Sequence, residues 1–307
     1  MINNLNLLIV GCGKIAKLHA RILKEQFKQH QIYCIDKNTA SQKEFIEKFN
    51  AKEFDKNMHY DALLICTPTD KHLDTLKKYK DYATNYFIEK PLVNTQKEYD
   101  ELLNLVSAKN LYCGFIEIHN EIFLKLKNLL QNEKIISVQI IRHSPEIISE
   151  RLTSHAHMDL AIHDVSVLFK HFINYSNLEK FEIIKNFKNK NYFETAEILL
   201  KDKKININIS VSRKTNKKIR TWRVVSNLKT YEVDLISNTI TVFESIDPIH
   251  IDSNKFTQKI TETLNSYSLA EPAVNQMRYF IDGVIKQGFS NEIIEVINNS
   301  HRLLLDD

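Results

Sequence analysis

Glycine, proline, cysteine and tryptophan are all scarce in this chain: five, five, four and one respectively among 307 residues. So little glycine and proline leaves no low-complexity linker, and any domains are expected to pack together. The cysteines, Cys12, Cys34, Cys66 and Cys113, lie in apolar runs of the first part of the chain and lack the close C-x-x-C spacing of a zinc site. They read as reduced, strand-borne small hydrophobes. Neither sign of charge dominates: 42 basic and 38 acidic residues, mixed along the chain, give a formal net charge of +4. Without a dense basic tract, nucleic acid is not an expected partner. No apolar run approaches membrane-spanning length, and "MINNLNLLIVG" has neither the basic lead nor the small-residue cleavage site of a secretory leader. The expectation is a soluble cytoplasmic protein, with no membrane partner, long enough for two domains.

What is present is a change of rhythm. The first part alternates short apolar runs, "NLLIVG", "QIYCID", "DALLICT", "NYFIEK" and "LYCGFIE", with stretches whose apolar residues recur at helical spacing. Repeated strand–helix units predict a doubly wound α/β domain on a parallel sheet. Near residue 118 the pattern turns to alternating strands with short polar links such as "KDKK" and "SNLK", which predicts an α+β domain on an open, mainly antiparallel sheet. The domains are therefore drawn as 1–118 and 119–307, with packing of the helices at 271–304 back onto the first domain allowed.

Directly after the first strand stands "GCGKIA", a G-x-G-x-x-A pattern opening a helix, and it uses two of the five glycines. In a dinucleotide-binding turn Gly11 permits the tight bend, Gly13 lets the backbone approach a pyrophosphate, and Lys14 and Ile15 open the helix whose free N–H groups meet the charge. The bland alternative is a ligand-free glycine turn. The second strand ends at Asp36, 25 residues after Gly11, where a carboxylate binds the adenosine ribose hydroxyls and repels a 2′-phosphate. NAD is thus favoured over NADP, although Lys37 leaves dual use open, and a plain turn-forming aspartate is the alternative. Two further strand ends, "ICTPTDKH" with Thr67, Pro68 and His72, and "IEKP" with Glu89 and Lys90, are expected on the same ligand-binding edge.

A second signal lies in "HMDLAIHDVSVLFKHF", an apolar stretch carrying Asp159 and His163 four residues apart. On an α-helix they share one face, as a satisfied core pair or as the wall of a polar cavity. A meeting with Lys90 in an interdomain cleft would favour the cavity. The upstream "SHAHMD" adds His155 and His157; the set could be drawn as a zinc site, but substrate-contacting or exposed histidines are the preferred reading and no metal is assigned. The basic "RKTNKKIR" reads most simply as a solvated hairpin end, with a phosphate-bearing substrate as a minor alternative.

These motifs together resemble the Gfo/Idh/MocA family, which includes glucose-fructose oxidoreductase and inositol dehydrogenase. "GCGKIAKLHA" with His19, "TPTDKH", "EKPL" and "HMDLAIHD" follow the order and spacing of the family's segments. The resemblance implies a Rossmann domain followed by an open antiparallel sheet, and oxidation of a secondary alcohol on a sugar, sugar nucleotide or cyclitol with hydride passing to NAD. It implies Lys90, Asp159 and His163 as catalytic residues, Asn120 near the substrate, and a homodimer or homotetramer formed through the C-terminal sheet; His155 is read as a substrate contact from its own segment, which departs from the family's glycine-rich approach to the helix. Ile118 and Glu121 depart from the family's common Arg and Pro, so a substrate charge met by that Arg is not expected here.

Overall fold

Leu7 to Ile9, Ala62 to Ile65 and Phe87 to Ile88 are almost wholly removed from solvent, as expected of strands buried on both faces. The computed structural model describes residues 4–145, 153–189, 191–203, 205–245, 258–265 and 271–305. Two compact units divide it: Met1–His119 with Ala270–Asp307, and Asn120–Leu269.

The first unit carries β1 (Asn6–Val10), β2 (Gln31–Ile35), β3 (Lys52–Glu53), β4 (Tyr60–Ile65), β5 (Ala83–Ile88) and β6 (Leu111–Cys113). All five pairings are parallel, in the order β3-β2-β1-β4-β5-β6, the Rossmann order. The helices α1 (Lys14–Gln26), α2 (Thr39–Phe49), α3 (His72–Tyr79) and α4 (Gln96–Leu105) connect them. Local chemistry sets their starts: Asn38 accepts from Ser41 N–H at the head of α2, and Thr95 and Glu98 form a reciprocal capping box on α4.

The helices α7 (Pro272–Ile285) and α8 (Asn291–Leu305) belong to this same unit. Phe280 on α7 stands edge-on to Phe87 of β5, with ring centroids 5.2 Å apart. On α8 the wholly buried His301 donates from Nδ1 to Ile297 O at 2.8 Å and accepts at Nε2 from the backbone N–H of Leu92 at 3.1 Å. Burial pushes its pKa down from 6.5 to about 4. Between those two values the unfolded chain binds the proton that the folded chain refuses, so stability falls as pH drops from about 6.5 to about 4. The difference is on the order of 3 kcal/mol for this one group. Hydrogen exchange of β4 and β5 amides should show that decline in the wild type and a shallower one in His301→Gln; equal slopes would remove His301 as its source.

The second unit begins with α5 (Glu121–Leu129) and β7 (Ile135–His143). A π-helical turn, His157–Ala161, then leads into α6 (Ile162–His171). The remaining strands are β8 (Leu178–Asn189), β9 (Tyr192–Asp202), β10 (Ile205–Ser212), β11 (Ile219–Ser226), β12 (Lys229–Asp234), β13 (Thr239–Ser245) and β14 (Gln258–Asn265). They form one sheet, β14-β13-β12-β11-β7-β10-β9-β8, antiparallel except where β7 runs parallel to β10. Phe123 of α5 and Phe172 beyond α6 pack on Trp222 of β11, with centroids 4.9 and 5.8 Å away. Among the described residues no helix is long and apolar enough to cross a membrane.

One expectation fails here. The segment from Arg213 to Ile219 is not the tip of a hairpin, because β7 lies between β10 and β11 and the chain must cross over it. Arg213 is buried rather than solvated, its guanidinium donating to Asp159 and to the carbonyl of Ser154.

Candidate functional site

The ladder of the first sheet continues one residue past each strand. Gly11 N–H donates to Ile35 O at 2.9 Å, Cys66 N–H to Val10 O at 2.9 Å, Glu89 N–H to Ile65 O at 3.0 Å and Gly114 N–H to Ile88 O at 2.9 Å. The four carboxyl-end loops therefore start in one row. Within it the strand order reverses between β1 and β4, which is where open α/β sheets hold their ligands.

Gly11 has φ +93°, and a Cβ there would stand 2.9 Å from Cys66 O, so only glycine makes this turn without moving β4. At Gly13, by contrast, a Cβ would meet nothing within 4 Å, which leaves the backbone open to an approaching group. Lys14 and Ile15 begin α1, whose N-cap is Gly13 with no capping side chain and whose first turn holds no acidic residue. Buried Ala16 brings that helix close to the sheet. A 13-residue helix with uncapped N–H groups at the switch point is suited to a pyrophosphate.

Asp36 lies just beyond β2. Its Oδ2 accepts from Cys12 N–H at 2.6 Å and its Oδ1 from Asn38 N–H at 2.7 Å, so it braces the glycine turn while each oxygen keeps a lone pair. Thr67 and Pro68 follow β4, the Thr67 hydroxyl lying 3.4 Å from that of Thr75. His72 is buried: Nε2 faces Thr67 O at 2.9 Å, and Nδ1 faces Pro91 O at 3.1 Å and Leu92 O at 3.2 Å. Both ring nitrogens thus face backbone carbonyls, and the neutral ring donates its one N–H to the loop on one side. Burial lowers its pKa, against the pull of those carbonyls and of the Glu89 charge.

Past β5 come Glu89 and the half-buried Lys90, whose bond to Pro91 is cis. Glu89 Oε1 lies 2.6 Å from His19 Nε2, and Glu89 Oε2 accepts from Lys90 N–H at 3.3 Å. The His19 ring is set edge-on to Phe87 at 5.0 Å. Gly114 is bare for this carboxylate, since a Cβ there would come within 2.9 Å of Glu89 Oε2. The thiols of Cys66 and Cys113 lie on the same edge, but burial pushes both well up, so they are not nucleophiles at neutral pH.

The second unit places the other expected residues. Asn120 is the N-cap of α5, its Oδ1 accepting from Ile122 N–H at 3.2 Å. His155 accepts at Nδ1 from Phe193 N–H at 3.0 Å and stacks on His157, with centroids 5.3 Å apart. Asp159 sits in the π-helical turn, where bonds close from i to i+5 and residues four apart lose the alignment of an α-helix. Its Oδ2 accepts from the buried Arg213 at 2.6 Å, a partner from a crossover connection 54 residues away that no local periodicity announces. His163 is half-buried in the first turn of α6. Its neighbour Asp164 faces the core: Oδ2 accepts from Arg142 Nε at 2.6 Å, and Oδ1 from Arg142 at 3.0 Å and Trp222 at 2.9 Å. Among the described residues no cluster of three or more His, Cys, Asp or Glu side chains has the geometry to hold a metal ion.

Residues 5–116 match a family model described as "Oxidoreductase family, NAD-binding Rossmann fold". A myo-inositol 2-dehydrogenase of Thermotoga maritima is 25% identical over 172 residues, covering 51% of each chain. The chain spans about half the length of the curated relatives it matches. Among solved structures, a UDP-N-acetylglucosamine 3-dehydrogenase from Acidithiobacillus ferrooxidans superposes with TM-score 0.78 at 16% identity, covering 99% of this chain and 97% of its own. A 3-ketoreductase from Actinomadura kijaniata, in complex with NADP and TDP-benzene, superposes with TM-score 0.80 at 12% identity, covering 98% and 96%. At such identities the two superpositions establish the fold.

Proposed function

We propose, from the match of residues 5–116 to the Gfo/Idh/MocA oxidoreductase family model, that the chain is an NAD-dependent dehydrogenase of a secondary alcohol on a cyclitol, sugar or sugar nucleotide. One observation carries this reading: the row of Gly11, Cys66, Glu89 and Gly114 beside the uncapped start of α1. The substrate class rests on what the matched relatives are named for, an inositol and a sugar nucleotide.

Gly11, Gly13, Lys14 and Ile15 would hold the pyrophosphate, Asp36 the adenosine ribose, and the loops at Thr67–Pro68 and Glu89–Lys90 the nicotinamide end. When bound, the cofactor supplies the hydride acceptor at nicotinamide C4. His163 accepts the hydroxyl proton as the general base. Lys90 stabilises the alkoxide charge that develops as the proton leaves. Asp159, held by Arg213, binds a neighbouring substrate hydroxyl or orients His163. The same residues serve the reverse reduction of a ketone by microscopic reversibility. A homodimer or homotetramer through the second sheet is part of the proposal.

A panel of cyclitols, sugars and sugar nucleotides, run in both directions, tests the reading by nicotinamide absorbance. Protein that binds NADH yet turns over none of the panel would instead be a dinucleotide sensor. Cofactor choice has its own test. Asp36→Ala removes the charge facing a 2′-phosphate, and the NADP-to-NAD preference is expected to rise about tenfold, or about 1.4 kcal/mol. An unchanged ratio removes Asp36 from the account.

A further inference from the structure

The three residues Lys90, Pro91 and Leu92 leave β5 without entering another strand or helix. Pro91 and Leu92 are buried, so their backbone polar groups need partners from elsewhere. Pro91 has no N–H. Its carbonyl and that of Leu92 face His72 Nδ1 at 3.1 and 3.2 Å, and the Leu92 N–H donates to His301 Nε2 at 3.1 Å. One imidazole comes from the head of α3 and the other from the C-terminal helix, 209 residues along the chain.

We propose that His72 and His301 form a two-histidine clamp that fixes the backbone after Lys90, and that His301 is a positioning residue for the Lys90 ammonium. Each ring is itself held. The His301 Nδ1–H is committed to Ile297 O at 2.8 Å, which leaves the Nε2 lone pair for Leu92 and settles the tautomer. Tyr99 stacks on the His301 ring at 5.1 Å and 10°, and Phe115 at 5.7 Å and 22°. The Tyr99 hydroxyl also donates to Asn298 Oδ1 at 2.7 Å, tying α4 to α8 beside the clamp. With its single N–H on Nδ1, the neutral His72 donates to the clamped carbonyls, while its Nε2 stands 2.9 Å from Thr67 O without donating to it. A reacting group displaced by about 1 Å loses about 10²-fold in rate, which is why a backbone anchor two residues away bears on turnover.

The proposal rests on the reading of Lys90 as a catalytic residue, and a matched pair of substitutions separates the two. In His301→Gln the amide oxygen reaches the Nε2 position and can still accept from Leu92. In His301→Asn the shorter amide reaches only the Nδ1 position. The clamp predicts that His301→Asn exchanges the Leu92 amide faster, lowers kcat by about tenfold or more and leaves the NADH dissociation constant within about twofold, while His301→Gln recovers most of both losses. On a Lys90→Ala background, His301→Asn should lower kcat no further. Unchanged Leu92 exchange, equal kcat in the two amide variants, or a full additional loss on the Lys90→Ala background would each overturn the clamp. Full activity in Lys90→Ala alone would instead overturn the role of Lys90, with Leu92 exchange still deciding whether His301 holds the loop.

Discussion

Lys90→Ala is expected to lower kcat by about 10²–10³ while the NADH dissociation constant changes by no more than a few fold. The size follows from the proposed chemistry: a cation beside the substrate oxygen stabilises charge that exists only as the hydroxyl proton leaves, so its loss falls on kcat. The selectivity follows from the sheet. Lys90 stands after β5, whereas the pyrophosphate seat is built by Gly11, Gly13 and the start of α1 after β1. Removing the ammonium leaves intact the Cys12–Asp36 hydrogen bond, the open backbone at Gly13 and the His19–Glu89 contact. Steady-state kinetics and NADH titration of one preparation check both halves. Unchanged kcat, or an affinity loss as large as the kcat loss, would contradict the assignment.

The largest effect on stability is expected from Asp164→Ala, at about 3–5 kcal/mol. Asp164 and Arg142 are each 1% exposed and meet through two hydrogen bonds, and Asp164 also accepts from the Trp222 indole. Alanine removes the carboxylate that accepts from the buried Arg142 guanidinium and the Trp222 indole, and breaking a buried pair at one member costs more than the intact pair contributes. The chain's single tryptophan is Trp222, so denaturant unfolding followed by its fluorescence reports on the second unit itself. The double substitution Arg142→Met with Asp164→Leu should recover part of the loss, since it replaces both charges of the buried pair by apolar groups. A loss below about 1 kcal/mol for Asp164→Ala would show that the pair is not a cornerstone of this unit.

Much of the first unit was legible because parallel strands buried on both faces leave continuous apolar runs, and the glycines mark where the chain turns tightly. The strand ends carrying Gly11, Asp36, Thr67 and Lys90 could be named from sequence for that reason. The two-residue β3 could not, since exposed Lys52 and Glu53 carry no apolar signal, and the polar string of β14 hid that strand likewise. In the second unit the mainly antiparallel sheet was readable from alternation. The parallel β7–β10 pairing was not, and so Arg213 was misplaced at a hairpin tip. The partners that position the candidate site share one property: Arg213 for Asp159, His301 for Leu92 and His19 for Glu89 come from 54, 209 and 70 residues away. Local periodicity carries no information about such pairs; packing makes them. The π-helical turn at Asp159 was hidden in the same way, because its sequence is indistinguishable from an apolar α-helix.

The central claim is hydride transfer, and the fate of the hydrogen tests it most directly. With NAD and an alcohol from the panel deuterated at the carbinol carbon, the account predicts one deuterium at nicotinamide C4 for each ketone formed, with none entering from solvent. Ketone formed without deuterium in the reduced cofactor, or reduced cofactor labelled from D2O instead, would contradict it.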